Sequence, residues 1–248
     1  MLNRRARARY VPAPRRHSLR EIAMIRLVLA GLLALLPLFA AAPARAQTEQ
    51  QTLVDRATLT VQEMFSDKIN PEGRRLLKNA KGIMICPRVF KAGFIVGAQL
   101  GACVLVGHNN GAWTNPAFYG FGSGSIGFQI GVQDAQIAFI ILTEKGLAAL
   151  MDSQFKIGAD ASVAVATFGA GVSGSTTAAL RADIVAFAQA RGLFAGIALD
   201  GSLISQRSEW NLAYYGQNFS PQQIVLDRQG NNPGADPLRE VLGQLAAQ

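Results

Sequence analysis

Residues 92–133 run without a single Asp, Glu, Lys or Arg, and ten of these positions are glycine (93, 97, 101, 107, 111, 120, 122, 124, 127 and 131). An uncharged stretch of this length is buried or faces something other than water. The glycines exclude one long helix, because each costs about 1 kcal/mol relative to Ala in a helix interior. They favour twisted, closely packed strands with bulges. Gly93, Gly97 and Gly101 recur every four residues, so at least one is expected where a side chain has no room. Asn110-Gly111, between Val104-Leu105-Val106 and Ala112-Trp113, marks a hairpin turn. Further strands are expected at 83–86, stopped at Pro87, at 137–142 and at 163–168. Residues 184–190 and 193–199 read as the arms of a second hairpin around Arg191-Gly192.

Helical periodicity surrounds this core. In residues 52–65, Leu53, Ala57, Val61, Met64 and Phe65 form one stripe, with Asp55, Arg56, Gln62 and Glu63 off it, which is the pattern of an amphipathic helix. Pro71 opens a second helix reaching toward Gly82, with mostly basic polar positions. Thr143 reads as the N-cap of a short helix carrying Leu147, Leu150 and Met151. Ser220-Pro221 opens a last structured turn. Residues 229–236 form a Gly/Asn/Pro linker, and 237–247 a weak terminal helix on a mobile tail. The fold class is therefore α+β: a Gly-rich antiparallel β core, sheet or barrel-like, with N-terminal amphipathic helices and short peripheral helices. An outer-membrane barrel would show regular ten-residue alternation with aromatic girdles, and neither is present.

The formal charge of +8 suggests nucleic acid until it is located. Residues 1–46 hold nine arginines and one glutamate, and the remaining 202 residues carry 15 basic and 15 acidic side chains. No nucleic-acid role follows. Those first 46 residues read as a secretory leader, with Arg26 before a 16-residue apolar run (27–42) and Ala44-Arg45-Ala46 as the cleavage site. Met24 is an alternative initiator. The apolar run falls short of the roughly 20 residues a membrane span needs. The expected organisation is a leader over 1–46, one domain over 47–228, and a linker with a weak helix over 229–248. A periplasmic or secreted envelope protein, with peripheral membrane association, is expected.

Enzymatic constellations are weak. Gly169-Ala170-Gly171-Val172-Ser173-Gly174 matches a dinucleotide fingerprint, with Asp200 downstream, but Ser173, Ser175, Thr176 and Thr177 fill the would-be first helical turn. After the leader the one histidine, His108, sits in the predicted turn, and no serine-nucleophile elbow occurs. Cys86, Cys103 and His108 match no zinc spacing. The cysteines are expected as small core residues, with a disulfide open if adjacent strands bring them together. Asp134, Glu144, Asp152, Asp160 and Asp183 are scattered without motif. No catalytic residue, metal or cofactor is expected.

What remains is a basic run. Lys68, Arg74, Arg75, Lys78, Lys81, Arg88 and Lys91 fall within 24 residues and are opposed by Glu72 alone. Either it is a solvated face, or it meets an anionic lipid surface beside an amphipathic helix. The stripe of Leu53, Val61, Met64 and Phe65 then serves membrane insertion or packs on the β core.

Three stretches resemble one family: Ala80-Lys81-Gly82-Ile83-Met84-Ile85-Cys86-Pro87 with Lys91-Ala92-Gly93-Phe94-Ile95-Val96-Gly97, the segment from Ala190-Arg191-Gly192-Leu193-Phe194 to Asp200-Gly201-Ser202, and Tyr214-Tyr215-Gly216. Together, over about Leu53 to Leu226, they resemble the SYLF domain. The resemblance implies a non-catalytic phospholipid-binding module; eukaryotic members bind phosphoinositides with help from an N-terminal amphipathic helix, and some bind actin. Cys86 departs from the larger apolar residue expected there. An exported protein would not meet actin or cytosolic phosphoinositides, so the expected partner is anionic phospholipid, with actin left out and the oligomeric state open. The rival readings are an envelope interaction protein without a lipid ligand and a nucleotide-binding enzyme using Gly169 to Gly174.

Overall fold

The computed structural model describes residues 42–65, 70–93, 96–109, 111–126, 131–167, 182–192, 199 and 201–247. The chain divides into Met1–Ala44 and Arg45–Gln248, and the fold is that of the second unit. In chain order the elements are α1 (Ala42–Met64), α2 (Pro71–Lys78), β1 (Gly82–Gly93), β2 (Val96–Asn109), β3 (Ala112–Trp113), β4 (Ala117–Ile126) and β5 (Gly131–Ile141). There follow α3 (Glu144–Ala149), β6 (Gln154–Lys156), β7 (Val163–Thr167), β8 (Ile184–Gly192), β9 (Leu203–Gln206), α4 (Ser208–Tyr215), α5 (Pro221–Val225), a 3-10 turn (Pro233–Ala235) and α6 (Asp236–Ala247). The strands form one sheet in the order β6-β9-β4-β2-β1-β5-β8-β7, with β3 paired to β2. Every pairing is antiparallel except β7 with β8. The class is α+β, as the sequence pattern indicates.

Both faces of the sheet are covered over the first half of β1 and the rows paired with it, which is why the strands there read as unbroken apolar runs. Ile83, Ile85, Val104, Val106, Phe118, Ala138 and Ile140 point to one side, under α1, α6 and Tyr214 of α4. Met84, Cys86, Cys103, Leu105, Tyr119, Ile137 and Phe139 point to the other, under α3, Phe155 and α5. Helix α1 buries Leu53, Val54, Ala57, Val61, Met64 and Phe65 against the first side. A large side chain fully buried is worth about 1.5–3 kcal/mol, whereas each threonine in a helix costs under about 1 kcal/mol. Packing therefore outweighs the poor propensity of Thr52, Thr58 and Thr60. The Thr58 hydroxyl also donates to the Val54 carbonyl at 2.9 Å.

Several local signals hold. Asn70 caps α2, its Oδ1 accepting from the Gly73 N–H at 2.7 Å, with Pro71 in the first turn. Thr143 caps α3 through the Gly146 N–H at 3.0 Å. Asn109 pairs with Ala112 across a two-residue connection in which Gly111 has φ 74°. Gly101 is a glycine without room: a Cβ there would lie 2.8 Å from the Arg88 carbonyl oxygen.

Other expectations are corrected. The strand at 83–86 does not stop at Pro87. It continues to Gly93 through a bulge, where the register steps from Ile85↔Val104 to Arg88↔Ala102, so Cys86 and Pro87 together oppose Cys103. Proline fits a bulge because it has no N–H to lose from the ladder. Cys86 and Cys103, with Cα atoms 4.1 Å apart, form a disulfide and are not free core thiols. Arg191-Gly192 is no turn; it ends β8, paired to Asp134 and Gln133 of β5, and the expected second arm lies mostly outside the described residues. Nor is the C-terminal helix carried on a loose tail, since Leu238 and Leu242 are fully buried in the α1-side core. Gly169 to Gly174 and Lys68 lie outside the described residues.

Candidate functional site

The basic run of the sequence divides in space. Arg75 and Lys78 are exposed in the last turns of α2, where cations complement the carbonyl end of the helix. Arg75 has 74% of its side chain in solvent and lies 3.5 Å from Glu72; Arg74 is half-buried. Lys81 follows and pairs with Glu144 at 2.7 Å. Lys78, Lys81 and Glu144 line a cavity of about 340 Å³ together with His108 and Asn109. His108 is held from behind, its Nδ1 3.0 Å from the Ala80 carbonyl and its ring stacked on Trp113 at 4.4 Å.

Arg88 and Lys91 lie further along β1. Six residues lie between Lys81 and Arg88, and because the bulge takes up one of the seven steps, six ladder steps of about 3.3 Å, roughly 20 Å, separate the two. The cations therefore form an α2 group and a separate group near the far end of β1. Arg88 grips Asp134 through two hydrogen bonds of 2.9 and 3.0 Å. That pairing raises the Arg88 pKa and lowers that of Asp134, chiefly through the hydrogen bond. Lys91 is half-buried.

Leu53, Val61, Met64 and Phe65 are all buried, and Phe65 meets the Phe187 ring edge-on at 5.9 Å. In this conformation the stripe packs on the sheet, and among the described side chains of α1 the exposed large apolar one is Leu59. Sequence reading placed Arg56 merely off the stripe and left Asp134 and Asp183 as isolated acids. The partners of Asp134 and Asp183 come from segments 21 to 46 residues away in the chain, so no local signal marks these acids. The Asp183 carboxylate accepts from Ser162 Oγ (2.7 Å), Thr143 Oγ1 (2.8 Å), Ser162 N (3.1 Å) and Lys145 Nζ (3.2 Å). These donors, Ser162 first, hold it well below the usual carboxylate range. Asp183 thereby ties the start of β8 to the α3 cap.

Among the described residues no group of three His, Cys, Asp or Glu side chains is placed to hold a metal, and no helix is long and apolar enough to cross a membrane. A sheet whose central rows are buried on both faces, with an exposed cationic helix beside it, defines an α+β domain. The comparisons give that class a family. A family model described as "Ysc84: Las17-binding protein actin regulator" matches residues 122–245, and the chain belongs to this family, the one that carries the SYLF domain. Protein YSC84 of Saccharomyces cerevisiae is 28% identical over 207 residues, covering 82% of this chain and 44% of that protein. LAS seventeen-binding protein 3 of the same species is 30% identical over 175 residues, covering 69% of this chain and 38% of that protein. SH3 domain-containing YSC84-like protein 1 of Homo sapiens is 30% identical over 178 residues, covering 71% and 51%. The chain thus spans about half or less of the length of these relatives.

Proposed function

We propose that this chain is an exported, non-enzymatic protein that binds anionic phospholipid at a membrane surface through the α2 group of cations. The observation that carries the reading is the exposure of Arg75 and Lys78 on one short helix, beside Arg74 and Lys81, with Glu72 the one acid on that helix. The SYLF resemblance supports phospholipid as the ligand class. Each Lys or Arg near an anionic surface contributes about 1 kcal/mol, fading within a Debye length. Reversing Arg74, Arg75 and Lys78 to Glu together should then cut vesicle affinity by orders of magnitude. Binding should also require anionic lipid and weaken with salt. Liposome sedimentation reads all three; a triple variant that pellets with anionic vesicles as wild type does at low salt makes α2 only a solvated face.

Export is supported by the leader pattern and by the buried Cys86–Cys103 disulfide, since such bonds persist in oxidising compartments. On that reading the protein sits in the bacterial periplasm or outside the cell and does not meet actin. A second reading, a module that binds another protein, is favoured by the description of the family model, which refers to Las17 binding and actin regulation, and by the name LAS seventeen-binding protein 3. Co-sedimentation with actin filaments but not with vesicles would select it.

A further inference from the structure

The α1 side of the sheet is not covered to its end. Beyond the rows of Ile85 and Val104, Arg88 pairs with Ala102; in the next row Phe90 pairs with Leu100, Leu100 with Gly122 and Gly122 with Leu203. Directly paired residues share a face. Phe90 is 41% exposed, Leu100 66% and Leu203 38%, and Leu59 on α1 is 63% exposed. Four of the six most exposed large apolar side chains among the described residues thus gather on one side of the domain.

Two cavities open along the foot of α1. One, of about 490 Å³, has Leu53, Ala102 and Trp210 in its wall; the other, of about 550 Å³, has Leu59, Ala135 and Gln136. They share Arg56, Pro87 and Arg88, so they are the two arms of a single groove. Its helical wall from Glu49 to Glu63 is about 21 Å long at 1.5 Å per residue. Arg56 and Arg88 stand at the junction, with Asp134 bonded to Arg88 there, while Glu49 lies in one arm and Glu63 in the other. The bulge at Pro87 puts Arg88 there. Cys86 and Val89 both face the second core, so the strand's alternation has slipped by one and Arg88 is turned onto the α1 side. Asp134 then fixes the direction of its guanidinium while leaving it 59% exposed.

We infer that this groove holds one phospholipid molecule, its phosphate against Arg56 and Arg88 and its acyl chains on the apolar floor that continues to Leu100. The inference rests on the phospholipid reading for the ligand class but assigns a site away from α2. Arg56, beside the part of the Arg88 guanidinium that Asp134 does not take up through Nε and Nη2, suits a phosphate, and a concave apolar groove with few convergent polar groups suits the chains. The site would take lipid one molecule at a time, the chemistry of a carrier.

The test uses the delipidated full chain and dioctanoyl phosphatidylglycerol at concentrations where it is monomeric, with binding read by calorimetry and native mass spectrometry. Wild type should take up one lipid. Arg56→Glu with Arg88→Gln should weaken that uptake at least tenfold while vesicle sedimentation is retained, and the α2 triple reversal should do the opposite. Leu59→Asp, at an exposed position, should weaken uptake with an unchanged melt. Should wild type sediment with vesicles yet bind no monomeric lipid, or should the double variant and Leu59→Asp bind it as wild type does, the groove assignment falls and the surface reading stands. Failure of wild type to bind either vesicles or monomer removes both.

Discussion

Asp183 and Thr143 sit side by side in space, yet only one of them was legible in the chain. Thr143 announces itself because an N-cap is local: the hydroxyl accepts from an N–H three residues on. Asp183 acquires its role from Ser162, Thr143 and Lys145, which are 21 to 40 residues away. Its depressed pKa has a thermodynamic sign. A carboxylate held below its unfolded value of about 3.9 stabilises the fold at pH above that value and loses this contribution as pH falls through the lower folded value. Denaturant midpoints of wild type should therefore decline as pH drops below about 4. Asp183→Asn, by leaving donors mispaired, should lose about 2 kcal/mol at neutral pH and show a flatter acid decline. A variant with the same midpoint and the same pH profile as wild type would remove Asp183 as a tie between α3 and β8.

At the level of elements, the amphipathic period of α1 and the apolar runs of β1 and β5 were readable, because burial imposes them residue by residue. The course of β1 past Pro87 was not. A proline in an apolar run normally ends a strand, and the fact that permits continuation, two residues opposing Cys103, belongs to the neighbouring strand. For the same reason spacing alone left the cysteines open. The disulfide closes a 17-residue separation, and by the loop-entropy estimate a loop of that size is worth about 3 kcal/mol. Cys86→Ala with Cys103→Ala should lower the unfolding free energy by about that amount, measured in denaturant without reductant; an unchanged midpoint would mean the bulge holds without its crosslink. Helix α1 offers a matching check. Replacing Met64 and Phe65 with Ser should destabilise by about 3–5 kcal/mol per large side chain lost, since both are fully buried. Loss of vesicle binding with an unchanged melt would instead mean that α1 leaves the sheet and inserts.

Over the whole molecule, the class and the family were legible, whereas the division of the cations was not. A run of seven basic residues in sequence looks like one patch until β1 is seen to carry Arg88 about 20 Å from Lys81. The neutral balance after the leader makes the expected membrane contact local and dependent on orientation. If the leader is removed as its pattern suggests, mass spectrometry of a periplasmic fraction should find a mature chain beginning at or near Gln47. An intact leader in a salt-resistant membrane pellet would make residues 27–42 an anchor. The strand order has one more consequence. The long strands β1 and β2 occupy the middle of the sheet, and one boundary is β6, only three residues long and ending at the exposed Lys156. A foreign strand arriving at that margin would find few free amides and a charge in its path. At that end a sheet this rich in apolar sequence is protected against templating its own aggregation.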